Sequence, residues 1–124
     1  LFNNKIWDLI IMLKKVTRLH SEKRPLPVCG KHEAAHQLIG KKWVSLIVRC
    51  LMDDPKRFSE IQAYIPDLSK RVLNERIKEL EEAGIVFRRV RTDRPFRTEY
   101  ALTQKGWELG SALSFVDAWA EKWM

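Results

Sequence analysis

The chain has 124 residues, with 23 Lys plus Arg against 16 Asp plus Glu, for a formal charge of +7. That length fits one compact domain with a real core and leaves little room for a two-domain enzyme or a nucleotide-binding fold with several crossovers. Two cysteines, Cys29 and Cys50, make no disulfide-dense framework, and no apolar run approaches the roughly 18–20 residues of a membrane span. Leu1–Lys15 shows no small-residue cleavage pattern, so a cytoplasmic chain without signal peptide or membrane contact is expected.

Surplus positive charge selects a class of partner, a polyanion, and says nothing of fold. Its distribution is more informative. Leu1–Arg24 carries +4, Pro25–Pro55 +1, Lys56–Arg97 +4 and Thr98–Met124 −2. Within the third stretch, Arg88, Arg89, Arg91, Arg94 and Arg97 fall in Val86–Arg97 with only Asp93 opposing them. Such guanidiniums repel one another unless solvent or a phosphate backbone takes them up, and arginine's planar fork suits phosphate. A solvated hairpin edge, charged against strand pairing, is the competing reading.

In chain order, Asn3 or Asn4 caps a first helix running toward His20, with Ile6, Ile10, Leu13 and Thr17 on one stripe. Ser21–Pro27 is a polar, proline-bearing linker. A short helix, His32–Ile39, ends at Gly40. Lys42–Met52 follows, its Trp43, Leu46, Ile47, Cys50 and Leu51 at core-facing spacing, and Asp53-Asp54-Pro55 stops it. Ser59-x-x-Gln62 matches a capping box opening a helix over Glu60–Ile65. After Pro66-Asp67-Leu68, Ser69 caps a helix to about Ala83, closed by Gly84. Leu73, Ile77 and Leu80 face inward, while Lys70, Arg71, Asn74, Glu75 and Lys78 lie largely opposite.

Two helices across so short a turn make a helix-turn-helix, whose second member can enter a major groove. The strands Ile85–Arg91 and Phe96–Leu102 supply a wing, Tyr100 and Leu102 alternating with Glu99 and Ala101. Thr103 caps a last helix, Gln104–Met124, with Leu109, Leu113, Val116, Ala120 and Trp123 on one stripe. The expected fold is α+β and mainly helical, a winged helix-turn-helix with additional N- and C-terminal dimerisation helices. Residues 1–24 form an N-terminal extension helix and linker, and 25–124 the winged domain with its C-terminal helix.

No strong catalytic motif is present, and neither enzyme activity nor a cofactor is expected. His32-Glu33-Ala34-Ala35-His36 matches the zincin pattern, in which the glutamate acts on a metal-bound water. Its helix is short and no third ligand is evident downstream, so an exposed helix turn is the better account and no metal is assigned. Cys29, beside Lys31 and His32, suits an oxidant or electrophile sensor as well as a small residue at a helix start. Cys50 falls on the apolar stripe as an inert buried thiol.

Ser69, Lys70, Arg71, Asn74 and Lys78 are the candidates for the major groove, with Arg89, Arg91, Arg94 and Arg97 on the flanking wing. Trp7, Leu113, Val116, Trp119 and Trp123 are candidates for a homodimer interface, since tryptophans near a small chain's end are hard to bury internally. The expected partners are double-stranded DNA and a second copy of the chain. The alternative is a winged-helix module that binds another protein and lacks sequence-specific DNA binding.

From Leu38 to Trp123 the sequence resembles the HxlR-type family of bacterial and archaeal winged helix-turn-helix regulators. The resemblance rests on Ile39-Gly40-Lys41-Lys42-Trp43, Pro55-Lys56-Arg57-Phe58-Ser59-Glu60-Ile61, and Pro66-Asp67-Leu68-Ser69-Lys70-Arg71-Val72-Leu73. It continues through Arg76-Ile77-Lys78-Glu79-Leu80-Glu81-Glu82-Ala83-Gly84 and Glu99-Tyr100-Ala101-Leu102-Thr103-Gln104-Lys105-Gly106. It implies a DNA-binding repressor or activator working as a homodimer, with the first and last helices supplying much of the interface. Some members of that family carry a redox-sensing cysteine in a Cys-Pro pair ahead of the first core helix. Cys29 lies close to that place, followed here by Gly30.

Overall fold

The computed structural model describes residues 8–13, 29–93 and 96–124. The chain forms two compact units, Leu1–His36 and Gln37–Met124. In the first, residues 8–13 are helical (α1). The expected cap at Asn3 or Asn4, Trp7 and the linker Ser21–Pro27 lie outside the described residues. A second helix, α2, spans Gly30–Gly40 and starts two residues before the expected His32, with the Glu33 N–H donating to the Cys29 carbonyl at 2.9 Å.

The second unit is built from α3 (Val44–Leu51), α4 (Phe58–Tyr64), α5 (Lys70–Glu82), an antiparallel hairpin of β1 (Val86–Arg91) and β2 (Arg97–Leu102), and α6 (Gln104–Trp123). Its core joins Val44, Ile47, Val48 and Leu51 of α3 to Ile61 of α4 and Leu73, Ile77 and Leu80 of α5. Ile85, Val86, Tyr100 and Leu102 close it from the hairpin, and Leu109 and Leu113 of α6 pack against it half-buried.

α3 begins at Val44 and not at the expected Lys42, because Trp43 takes a left-handed backbone with φ 80° and ψ −14°. That conformation breaks the helical ladder, and it is costly for a bulky residue. The surroundings hold it in place. The Trp43 carbonyl accepts the Ile47 N–H at 2.9 Å, and its ring packs half-buried against the core with the Lys42 ammonium 4.8 Å from the ring centre.

α4 also begins earlier than expected, and the Ser59-x-x-Gln62 box does not open it. Lys56 forms an antiparallel bridge with Tyr100, its N–H donating to the Tyr100 carbonyl at 2.9 Å and its carbonyl accepting the Tyr100 N–H at 2.8 Å. Pinned to β2 at residue 56, the chain turns helical at Phe58, and Ser59 falls inside the first turn. The reciprocal cap comes from Glu60, whose carboxylate accepts the Arg57 backbone N–H at 3.0 Å.

α5 is bounded as its sequence requires. Ser69 Oγ accepts the Val72 N–H at 3.2 Å. At the other end Gly84, with φ 73°, lets its own N–H reach the Glu81 carbonyl while the Ile85 N–H reaches that of Leu80. This is a Schellman closure, with Leu80 and Ile85 both buried beneath it. α6 is then stitched onto that turn. Thr103 Oγ1 accepts the Gly106 N–H at 3.1 Å and donates to the Gly84 carbonyl at 2.5 Å, and Lys105 Nζ donates to the Ala83 carbonyl at 2.6 Å. A Cβ at Gly106 would collide with the Ile85 carbonyl oxygen, so only glycine permits this approach.

The hairpin pairs Val86 with Leu102, Arg89 with Glu99 and Arg91 with Arg97. The expected alternation along β2 does not hold, since Glu99, Tyr100, Ala101 and Leu102 are all buried. Tyr100 and Leu102 belong to the core, whereas Glu99 is covered on the opposite face beneath arginine side chains.

Candidate nucleic-acid interface

α4, the turn at residues 65–69 and α5 form the helix-turn-helix. Because Leu73, Ile77 and Leu80 are drawn into the core, Lys70, Arg71, Asn74, Glu75 and Lys78 are exposed along the opposite face. None of Lys70, Arg71, Asn74 and Lys78 makes an ion pair or side-chain hydrogen bond among the described residues, so their donors are available to a ligand. Ser69 differs, since its oxygen already accepts the capping Val72 N–H, while its hydroxyl hydrogen is still able to donate. The start of α5 adds unsatisfied N–H groups and the positive end of a helix dipole beside these cations.

Arg76 and Glu79 of α5 are instead used internally. Arg76 Nε donates to the Lys42 carbonyl at 2.9 Å, and Glu79 is met by Lys41 at 3.3 Å and by Arg76 at 3.5 Å. These contacts tie α5 to the turn before α3.

The hairpin arginines have partners within the chain that the charge count alone does not reveal. Each described one meets a carboxylate of its own chain. Arg88 stands 3.5 Å from Glu81, Arg89 2.8 Å from Glu99, Arg91 2.9 Å from Asp93 and Arg97 3.2 Å from Glu99. Arg94 lies outside the described residues. Glu99 and Glu81 were missed because they fall outside the twelve-residue window in which the arginines cluster. The signal was nonetheless present: an antiparallel hairpin with this turn sets residue 89 opposite residue 99.

The hydrogen bond from Arg89 holds the Glu99 carboxyl below the usual carboxylate range, against the opposing effect of burial. The hydrogen bond from Arg91 does the same for Asp93. At Glu60 the Arg57 backbone N–H lowers the carboxyl in the same direction.

Along α6, Leu113 is half-buried against the core, whereas Val116, Trp119 and Trp123 are 57%, 57% and 66% exposed. Phe115 and Trp107 of the same helix are exposed as well. Trp7 lies outside the described residues. A groove of about 370 Å³ runs between α3, α4 and α6, lined by Leu46, Met52, Tyr64 and Val116, with the Arg49–Asp117 pair at 3.5 Å beside it.

Cys29 is half-buried with a free thiol, whereas Cys50 is buried and its thiol is pushed up by burial, an effect that Lys56 only partly offsets. His32, Glu33 and His36 are exposed on α2. Among the described residues, no three or more of His, Cys, Asp and Glu gather to hold a metal ion, and no helix is long and apolar enough to cross a membrane.

Residues 38–124 match the family model described as an HxlR-like helix-turn-helix. The transcriptional regulator YvaP of Bacillus subtilis is 46% identical over 97 residues, covering 78% of this chain and 90% of YvaP. The regulator YodB of the same organism is 45% identical over 95 residues, covering 77% of this chain and 85% of YodB. Solved structures of YodB in reduced, diamide-treated and quinone-bound forms superpose with TM-scores of 0.71, 0.67 and 0.67 at 44% identity. They cover 78%, 79% and 77% of this chain and 95%, 97% and 100% of the YodB chains.

Proposed function

The chain belongs to the HxlR-like helix-turn-helix family of transcriptional regulators, and on that premise we propose that it binds an inverted-repeat DNA site as a homodimer. The observation that carries this reading is the exposed face of α5, where Lys70, Arg71, Asn74 and Lys78 are free of partners among the described residues, with Lys70 and Arg71 at the helix end best suited to phosphate. In this reading Asn74 faces a base edge, Lys70, Arg71 and Lys78 lie in or beside the major groove, and the hairpin's Arg89, Arg91, Arg94 and Arg97 meet the flanking backbone. Access to DNA implies a cytoplasmic location.

The dimer is supported by α6, whose exposed Val116, Trp119 and Trp123 make an apolar surface that water disfavours and a second copy would cover. Trp119→Ala with Trp123→Ala should shift the chain toward monomer in sedimentation equilibrium and weaken binding to a two-half-site duplex far more than to a single half-site. An unchanged mass would remove α6 from the interface.

Selection of bound duplexes from a random pool tests the function directly. The expected product is a pair of inverted half-sites about one helical turn apart, some 34–36 Å centre to centre, or a multiple of it. Enrichment of nothing would favour the winged-helix module that binds another protein.

Cys29 is the proposed redox-responsive group, on the strength of its partial exposure, in contrast to Cys50, which is buried. Mild oxidant should change the DNA affinity of the native chain and leave Cys29→Ser unaffected. An equal response in both excludes it.

A further inference from the structure

We propose that Glu99 is a positioning residue for DNA contact: one buried carboxylate that sets Arg89 and Arg97 side by side as a clamp for phosphodiester oxygens. The inference rests on the hairpin's contact with DNA proposed above.

Glu99 is the one charged residue that is buried among those described, at 8% exposure. A carboxylate withdrawn from water is destabilising unless both oxygens are satisfied. Here the two oxygens are divided between two partners. Oε2 accepts from an Arg89 terminal nitrogen at 2.8 Å, and Oε1 lies 3.2 Å from Arg97 Nε. Strand geometry sets this arrangement. Arg89 is the cross-strand partner of Glu99, and Arg97 precedes it by two residues and so shares its face.

Each contact engages one nitrogen of a guanidinium that has five N–H donors, so both arginines keep donors for a further acceptor. Their side chains are 42% and 38% exposed, against 10% for that of Glu99. The carboxylate therefore lies beneath, and the unused donors face outward. Without it, two arginines that now meet at one carboxylate would repel each other, and a long side chain held before binding loses less freedom when a phosphate arrives. The Arg91–Asp93 pair is different, because its carboxylate is 61% exposed and two residues away in a turn, so it can swing aside.

A purely neutralising Glu99 and a positioning Glu99 have opposite consequences. If it only cancelled charge, its removal would tighten DNA binding. If it positions the arginines, its removal loosens binding even though the chain becomes more positive.

The experiment measures affinity for an end-labelled mixed-sequence duplex across a salt series, using the full chain. Glu99→Gln should weaken binding about three- to tenfold and lower the salt slope by about one, as when one phosphate is no longer neutralised. Glu99→Asp keeps the charge but falls a methylene short of both partners, and should lose affinity and slope in the same direction. In the Arg89→Ala, Arg97→Ala background, Glu99→Gln should have no further effect. Circular dichroism melting reports the folded fraction of each variant, and Glu99→Asp serves where Glu99→Gln does not fold. Tighter or unchanged binding by both Glu99 variants overturns the proposal, as does weaker binding with an unchanged slope, which would mark a purely structural role. If the Arg89, Arg97 double variant binds as the native chain does, the hairpin's contact with DNA itself fails. If that variant weakens while the Glu99 variants do not, the hairpin contact stands and only the role of Glu99 falls.

Discussion

The start of α5 and the hairpin both carry concentrated positive charge, yet they hold it in different ways. Lys70, Arg71 and Lys78 project from α5 without an ion pair among the described residues, whereas Arg88, Arg89, Arg91 and Arg97 each meet a carboxylate. Counted by residue, the hairpin looks like the more cationic region. Counted by cations without a carboxylate partner among the described residues, α5 has three and the hairpin none. The free side chains can adapt to base edges but lose rotamer freedom on binding, up to about 2 kcal/mol each for Lys or Arg. The hairpin arginines are ordered in advance and reach a phosphate only by sharing or exchanging a carboxylate. The proposed DNA contact then predicts a division of labour, with strength and choice of sequence coming from α5 and position from the hairpin.

The strongest test of that division removes the free cations. Lys70→Ala with Arg71→Ala should weaken duplex binding on the order of 10- to 100-fold and lower the salt slope by about two, if each side chain meets one phosphate. The melting temperature should stay where it is, because neither side chain makes an ion pair or hydrogen bond within the described fold. Arg91→Ala with Arg94→Ala should cost less, uniformly across sequences, with the slope falling by about one for each phosphate that goes unneutralised. Binding titrations over a salt series compare the two directly, and a larger loss from the hairpin pair would reverse the comparison. Asn74→Ala should alter preference among selected sites more than overall affinity, which a competition between selected and scrambled duplexes measures. A uniform loss would assign Asn74 to positioning the helix.

Sequence carried the parts of this site that depend on neighbours along the chain. Ser69 and Gly84 bound α5 as expected, because a cap and a left-handed closure are decided within a few residues. The inward set Leu73, Ile77 and Leu80 followed from helical period alone. What was not legible depends on distant pairing. α4 starts at Phe58 because Lys56 is bridged to Tyr100, 44 positions onward, and no local capping pattern records that bridge. Trp43 adopts a left-handed backbone that its side chain disfavours, held by packing against a core assembled from the whole unit. The partner of Arg88 was hidden in the same way, since Glu81 comes from α5, whereas Glu99 could be reached only through the hairpin register.

Acid should separate the two regions by a smaller effect. Glu99 and Asp93 have carboxyls held below the usual range, chiefly by hydrogen bonds from Arg89 and Arg91 respectively. A carboxylate whose folded pKa is depressed contributes stability that is fully present above its unfolded value and is lost as pH falls through the folded one. The hairpin should therefore loosen only below the ordinary carboxylate range. The start of α5 has no such dependence, because its cap is the Ser69 hydroxyl. The start of α4 shares the hairpin's sensitivity through Glu60, whose carboxylate accepts the Arg57 N–H. Amide exchange followed by NMR from neutral pH downward, corrected for intrinsic rates, should show protection falling first at Val86–Arg91 and Arg97–Leu102 while the interior of α5 persists. Glu99→Gln should remove most of that early loss, because its side chain no longer titrates. Simultaneous loss of protection in α5 and the hairpin, unchanged by the substitution, would mean that their charges are not held differently in any way that affects stability.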